Sequence, residues 1–299
     1  VRREAKRLGF YDDGRRPLLW LNPYHADHMI GRMHEAAVIY DITDDWSQFG
    51  RNRRVQRRIA EQDRRVCEKA DAVIVCSEGL AASKCQYGAK LHLIKNGVDC
   101  RHYAAVCDVH GELPDEARTW DKPVLGYTGT IHRDRLDVAL VEQIARRLDR
   151  GTIVLIGPSH LNPQERRALK ATGRVVITGA VPYAQLPEHM RAFDVCIVPH
   201  RVTPFTDSLN PIKLWEYLAA GKPIVSTPVA GFRDYPQHVR LATDAASFVA
   251  QAFDALSEED DRAAARRAEA ERHAWTRRVD QVEGVLDAAA SRSATTRSR

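Results

Sequence analysis

The sequence predicts an α/β fold in which helices cover both faces of parallel sheets, divided between two domains. From Pro123 onward, continuous runs of valine and isoleucine alternate with amphipathic helices through short connections. This pattern is typical of a parallel sheet that is buried on both faces. Residues 18–97 repeat the pattern less completely. The length of 299 residues is sufficient for two domains of ordinary size.

The N-terminal part is expected to be an incomplete domain. An arginine-rich helix opens the chain, and a long basic helix is predicted at 51–69. The predicted strands are 18–23, 37–44, 72–77 and 91–97. No earlier strand with a glycine-rich turn precedes them, so we expect a domain that lacks its first βαβ portion, as a fragment or through a downstream start. Its predicted extent is 1–118, because 98–122 has weak periodicity and resembles a connection between domains.

The C-terminal domain is predicted at 119–268. Its apolar positions keep a helical spacing between the strands, as at 136, 140, 141, 144 and 148. The predicted strands are 123–127, 152–157, 174–179, 194–199, 223–227 and 239–242. The predicted helices are 135–148, one opened by Asn162 and Pro163, 184–193, 212–220 and 245–256. Residues 258–290 are also predicted to be helical, with 269–290 as a terminal helix that crosses back to the first domain, and 291–299 as a disordered polar tail.

Composition excludes several classes of protein. The apolar fraction of 44% and the charged fraction of 28% are typical of a soluble globular protein, and no apolar run is long enough to cross a bilayer. Six cysteines without metal-binding spacing favour reduced thiols in the cytoplasm. Nucleic acid is not an expected partner, because zinc-knuckle, RNP-type and helix-turn-helix signals are absent from the sequence.

The net charge of +5 is concentrated in Arg51–Arg65, which contains seven arginines. Two interpretations of this segment stay open. It is either a solvated helix face or a peripheral contact with the anionic inner face of a membrane.

The segment Asp207–Thr227 contains the clearest functional signal. It is predicted to form a loop, a short helix and a buried strand. Asn210 is the predicted N-cap, Pro211 the first helical position, and Gly221 the left-handed residue that ends the helix.

Lys213 and Glu216 are three residues apart and therefore project from one face of this helix. A helix N-terminus with a lysine suits a diphosphate, and a carboxylate one turn further can accept hydrogen bonds from ribose hydroxyls. The alternative is an exposed ion pair on an ordinary surface helix. The predicted position of the helix at the carboxyl edge of a parallel sheet, beside 126–129 and 200–210, favours the nucleotide site.

The order of landmarks resembles a GT-B glycosyltransferase of the family-four type, close to the bacterial enzymes of surface-polysaccharide assembly. The similarity extends from Leu18 to about Val285 and includes Trp275 in the terminal helix. The resembling segments are VIYDITDDWSQF (38–49), ADAVIVCSEGL (70–80), IKNGVD (94–99), LGYTGTIHRDRLD (125–137), VLIGP (154–158), ITGAVPYAQLP (177–187) and NPIKLWEYLAAGKPIVST (210–227). The resemblance implies two Rossmann-like domains, with the donor nucleotide in the C-terminal one and the acceptor in the N-terminal one.

The resemblance also implies roles for single residues. Glu216 matches the glutamate that holds the ribose hydroxyls, and Lys213 lies where a basic group faces the diphosphate. Gly129 matches the glycine of the turn after the first C-terminal strand, where backbone approaches the phosphates. Arg133 and Arg135 follow that turn, and one of them is expected to neutralise the leaving group.

One position departs from the family pattern. Relatives commonly have two glutamates eight positions apart, but Ser208 stands where the first is expected. Ser208 or Asp207 with backbone amides is then the expected contact of the donor sugar. The segment Val181–Tyr183 resembles the one that lines the base, while Ile177–Gly179 is equally well a strand end with a turn. The predicted nucleotide-sugar site comprises Gly129, Arg133, Val181, Tyr183, Ser208, Asn210, Lys213 and Glu216.

The reaction implied by the resemblance is retaining transfer of a sugar from a nucleoside-diphosphate sugar to a glycan or lipid-linked acceptor in cell-surface polysaccharide synthesis. Asp41, Asp44 and Asp45 are of the type that binds hard cations, but they belong to the other domain from the nucleotide motif. No metal or other cofactor is therefore expected, and the sequence indicates no catalytic residue. Two alternatives stay open, namely a nucleotide-sugar epimerase of the same architecture and a non-catalytic nucleotide-binding remnant.

Overall fold

The computed structural model describes residues 1–14, 16–48, 52–108 and 111–297. These residues form two compact α/β units. The first unit comprises Val1–Asn96, Ser208–Asn210 and Thr276–Arg299, and the second comprises Gly97–Asp207 and Pro211–Trp275. The predicted fold class, two parallel sheets flanked by helices, is confirmed.

The first unit is built on a four-stranded parallel sheet within the described residues, in the order β1-β2-β3-β4. Its strands are β1 (Leu18–Leu21), β2 (Ala37–Ile42), β3 (Ala72–Val75) and β4 (Leu91–Leu93). Its helices are α1 (Arg2–Arg7), α2 (Arg53–Lys69), α3 (Glu78–Ser83) and the long α12 (Trp275–Arg297). Helix α12 covers one sheet face by packing Val285 and Ala289 against residues of β2 and β3.

The second unit contains a six-stranded sheet in the order β10-β9-β8-β5-β6-β7, and every paired strand in it is parallel. Its strands are β5 (Val124–Thr128), β6 (Thr152–Ile156), β7 (Val175–Gly179), β8 (Val195–Val198), β9 (Ile224–Ser226) and β10 (Val239–Leu241). Its helices are α4 (Cys100–Ala104), α5 (Asp115–Arg118), α6 (Val138–Arg147), α7 (Pro163–Lys170), α8 (Leu186–Arg191), α9 (Ile212–Ala219), α10 (Ala245–Ala255) and α11 (Asp260–Glu271). Along the chain, β6 is added beside β5 and β7 beside β6. Strand β8 then pairs with the other side of β5.

The predicted boundary of the first domain differs from the observed one. Residues 98–122, expected to be a connection, contain α4 and α5 and belong to the second unit. Weak periodicity hid them because both helices are short and irregular segments surround them. Tyr103 in α4 and Trp120 are buried in the core of this unit.

The C-terminal prediction also needs correction. The helical stretch 258–290 is two helices, α11 and α12. The expected disordered tail 291–299 is helical through Arg297, and its last two residues lie outside the described residues. In the described part of the chain, no helix combines the length and apolar character needed to span a bilayer.

Candidate functional site

The second unit has one topological switch point, between β5 and β8. The chain leaves β5 toward β6 on one side and comes back to β8 on the other. Ligands of open parallel sheets bind at such a point, beyond the carboxyl ends of the strands. Gly129 follows β5 and His200 follows β8, so both lie at this edge.

Helix α9 brings Lys213 to the turn after β5. Gly129 has a φ of +122°, and a methyl group there would lie 2.5 Å from the Lys213 ammonium nitrogen. The ammonium also lies 4.9 Å from the centroid of the Tyr127 ring. The carbonyl of Gly129 is approached by Gly157, where a Cβ atom would lie 2.2 Å from that oxygen. Two glycines thus allow backbone and ammonium to approach closely, while the predicted approach of the Gly129 backbone to phosphates stays a prediction.

The electrostatics of this cluster favour an anion. Burial lowers the pKa of Lys213 to about 8; the Glu216 carboxylate opposes the shift and the Arg135 guanidinium adds to it. His200 is buried, its Nε2 lies 3.1 Å from the Tyr127 hydroxyl oxygen, and its pKa is far below the ordinary value because of burial and the charges of Lys213 and Arg135. The imidazole is therefore neutral. The positive charge at this edge comes from Lys213 and Arg135.

Arg135, and not Arg133, is the arginine that acts on this cluster. Its charge lowers the pKa of both Lys213 and His200, and its guanidinium carbon lies 5.3 Å from the centroid of the Phe205 ring. Arg133 is exposed. The role predicted for Arg133 toward the leaving group stays a prediction.

Asn210 is not the cap of α9. The N-cap position is Pro211, and no side chain caps the first turn among the described residues. The Asn210 side-chain oxygen instead accepts from the backbone N–H of Asn96 at 3.0 Å, within the first unit. The first-turn amides of α9 therefore have no side-chain acceptor from the described residues, which suits an incoming anion. The C-terminal end is as predicted, because Gly221 has a φ of +69°.

Ser208 is also placed in the first unit. It is buried, and its carbonyl oxygen accepts a hydrogen bond of 2.5 Å from the Ser77 hydroxyl. The second unit therefore brings together Gly129, Lys213 and Glu216 but does not include Ser208 and Asn210. The role of Ser208 toward a donor sugar stays a prediction.

An aromatic group lies beside Glu216. The Tyr183 ring stacks on His102 with centroids 4.0 Å apart and planes at 14°, and it meets Tyr103 edge-on at 6.2 Å. After burial, the Glu216 charge is the strongest influence that raises the pKa of Tyr103 and of Tyr183. Val181 packs its side chain against the core. Sequence reasoning found Tyr183 but missed His102 and Tyr103, since they lie in the segment interpreted as a linker.

A second cleft lies in the first unit, where β2 ends. Asp44, Asp45 and Trp46 line it, together with Asp63, which pairs with Lys84 and accepts a hydrogen bond from the Tyr40 hydroxyl. Asp45 accepts from the backbone and hydroxyl of Ser47. Within the described residues, no group of three histidine, cysteine or acidic side chains is arranged to hold a metal ion.

Comparison with known proteins shows which family and which folds the chain is similar to. Residues 122–259, which contain the switch-point site, match the family described as glycosyl transferases group 1. The protein TuaH of Bacillus subtilis (strain 168), whose name assigns it to teichuronic acid biosynthesis as a glycosyltransferase, is 29% identical over 203 residues. These matches show that the chain is similar to glycosyltransferases. The alignment with TuaH covers 64% of this chain. The chain spans about half the length of TuaH.

Solved structures show the same fold. HepE of Anabaena in complex with UDP-glucose superposes with a TM-score of 0.73 at 15% identity, covering 96% of this chain and 82% of that one. Sucrose-phosphate synthase of Thermosynechococcus elongatus gives a TM-score of 0.67 at 18% identity, covering 95% and 76%. Each of these two structures shares its fold with this chain despite the low sequence identity.

Proposed function

We propose that this GT-B chain transfers a glycosyl group from a nucleoside-diphosphate sugar to a glycan or lipid-linked acceptor in the synthesis of a cell-surface polysaccharide. The observation that most supports this is the close approach of Lys213 to the Gly129 turn, with Glu216 one turn further along α9. The similarity to TuaH supports the polysaccharide context. The complexes of HepE with UDP and UDP-glucose support a donor of the same class.

Each group has a role that its chemistry suits. The diphosphate is held by the Lys213 ammonium, the Gly129 turn and the first-turn amides of α9. Glu216 accepts hydrogen bonds from the ribose hydroxyls, and Arg135 adds positive charge where the diphosphate departs. Fixed donors aimed at a developing negative charge lower the barrier without reorganising. In this proposal the leaving group is neutralised without a metal, and the configuration at the anomeric carbon is retained.

The acceptor is proposed to bind to the first unit. The cleft of this unit is lined by the carboxylates of Asp44 and Asp45 and by the partly exposed ring of Trp46. Carboxylates accept hydrogen bonds from sugar hydroxyls, and an aromatic face covers the apolar face of a sugar ring. This set of groups suits a glycan better than an anionic acceptor.

Replacing Glu216 by alanine is expected to weaken the binding of UDP or GDP by about 1–3 kcal/mol, because charge-assisted hydrogen bonds to the ribose are lost. Isothermal titration calorimetry measures this directly. The matched control is alanine at Glu188, an exposed glutamate on α8, which should bind as the unaltered protein does. If the unaltered chain binds no nucleoside diphosphate at all, the proposed function is wrong.

Contact with an anionic membrane is proposed for helix α2. Arg64 and Arg65 form ion pairs with Glu68 and Glu61 on the same helix. The remaining described arginines of the basic segment, at 53, 54, 57 and 58, are exposed, while Arg51 lies outside the described residues. Free arginines on one helix are attracted to anionic headgroups.

We expect the protein to co-sediment with vesicles of phosphatidylglycerol but not with vesicles of phosphatidylcholine alone. Raising the salt concentration from 0.1 to about 1 M should release it, because screening shortens the reach of the attraction. Replacing Arg53, Arg54, Arg57 and Arg58 by glutamine should have the same effect. Equal sedimentation of this variant would exclude α2 as the contact.

A further inference from the structure

Tyr103 is a buried residue of the second unit that has no role in the function proposed above. Helix α4 packs on α9, and Tyr103 is fully buried in the core with Trp215 of α9. Among the residues that the structure describes, its hydroxyl has no hydrogen-bond partner at normal geometry. A buried hydroxyl without a partner is unfavourable, so its persistence in a core needs an explanation.

Two groups lie near this hydroxyl, the Glu216 carboxylate and the Tyr183 hydroxyl, and Glu216 has the larger influence on it. The carboxylate is near enough to raise the pKa of Tyr103 both through its charge and as an acceptor, in addition to the larger effect of burial. The phenol therefore stays protonated and keeps a proton to donate. Polar contacts in ligand-free sites are often poorly aligned and tighten when the ligand binds. The poor alignment of the Tyr103 hydroxyl with the Glu216 carboxylate is expected to improve in the same way when the nucleotide binds.

We propose that Tyr103 is a positioning residue for the nucleotide ribose. When nucleotide is bound, its hydroxyl donates to one oxygen of the Glu216 carboxylate and so holds the other oxygen toward the ribose hydroxyls. The inference rests on the proposed function, in which Glu216 binds the ribose. A carboxylate held by a buried donor loses less conformational freedom on binding than a free one.

The surroundings of the pair support this assignment. The neighbouring ring of Tyr183 is 55% exposed and is backed by the stacked ring of His102. An exposed aromatic face beside a carboxylate and a buried hydroxyl provides apolar and polar contacts at one place. These are the two kinds of contact that a nucleoside needs.

The test compares the binding of UDP and GDP with that of their 2′,3′-dideoxy counterparts by titration calorimetry. The unaltered protein should favour the ribonucleotide that it binds over its dideoxy form by at least about tenfold. In Tyr103→Phe this ratio should fall about threefold to tenfold, while the affinity for the dideoxy nucleotide stays the same. The matched control is Tyr235→Phe, a tyrosine of the same unit that packs against Trp215, and it should keep the full ratio.

A double variant separates positioning from a general loss of structure. Because Tyr103 acts through Glu216, adding Tyr103→Phe to Glu216→Ala should not lower the ratio further. A Tyr103→Phe protein that keeps the unaltered ratio, or a double variant that falls below Glu216→Ala, overturns this inference and leaves the proposed function standing. Failure of the unaltered protein to bind any nucleoside diphosphate overturns both.

Discussion

Replacing Lys213 by alanine is expected to weaken the binding of UDP or GDP by about 100-fold, since charge-assisted contacts with the diphosphate are lost from a partly enclosed site. The binding of uridine or guanosine, which lack phosphate, should be unchanged. Titration calorimetry with each nucleotide and nucleoside measures both effects. Alanine at Lys170, an exposed lysine at the end of α7, is the matched control and should bind as the unaltered protein does. Equal losses for nucleotide and nucleoside would contradict the assignment of Lys213 to the diphosphate.

The pKa of Lys213 adds a dependence on pH to this prediction. Burial lowers that pKa to about 8, so the ammonium is present below this pH and is lost above it. The diphosphate binds the charged form. The affinity of the unaltered protein should therefore fall as the pH rises through about 8, and this step should be absent from Lys213→Ala. The ionisation of the nucleotide itself is common to both proteins and does not affect the comparison.

Replacing Gly129 by alanine is expected to reduce both stability and nucleotide affinity. The φ of +122° is outside the range that residues with a side chain readily adopt, and such strain costs about 1–3 kcal/mol. The new methyl group would lie 2.5 Å from the Lys213 nitrogen. A flexible lysine can move away at little cost in stability, but its ammonium then leaves the position that faces the diphosphate. Affinity should therefore fall by at least about tenfold, and by at most the roughly 100-fold expected from losing the lysine.

Gly173 provides the control for this variant. It also has a positive φ, +70°, but no atom lies within 4 Å of the place where its Cβ would be. Gly173→Ala should lower the free energy of unfolding by about 1 kcal/mol in denaturant titrations, and it should leave nucleotide binding unchanged. If Gly129→Ala binds UDP and GDP normally, the contact between the turn and Lys213 has no functional role.

Much of the fold could be predicted because its signals are local. Each of the ten predicted strands appears in the described residues, since runs of valine and isoleucine between helices suit a strand buried on both faces. Helix α9 begins and ends close to the predicted residues, because Pro211 fixes φ before the first turn and Gly221 permits the left-handed conformation after the last. Helix α4 was missed because a helix of five residues has too few turns to show a periodicity.

The candidate site could be predicted in part. Lys213 and Glu216 follow from their spacing on one helix, and the resemblance to a known family gave them roles. Asn210 has the right residue type for an N-cap, but its side chain binds the Asn96 backbone instead. A sequence shows which groups a residue can bind. It does not show which of several partners lies nearest.

By itself, the sequence determined the α/β class, the order of strands and helices, and the lysine and glutamate of α9, because these depend on neighbours in the chain. Only the tertiary structure decided which distant groups meet. It placed Lys213 against Gly129, brought the charge of Arg135 near Lys213, and packed α4, which contains Tyr103, on the helix that contains Glu216. Such contacts depend on how helices pack on the sheet, and the packing results from burial summed over the whole core rather than from any local pattern.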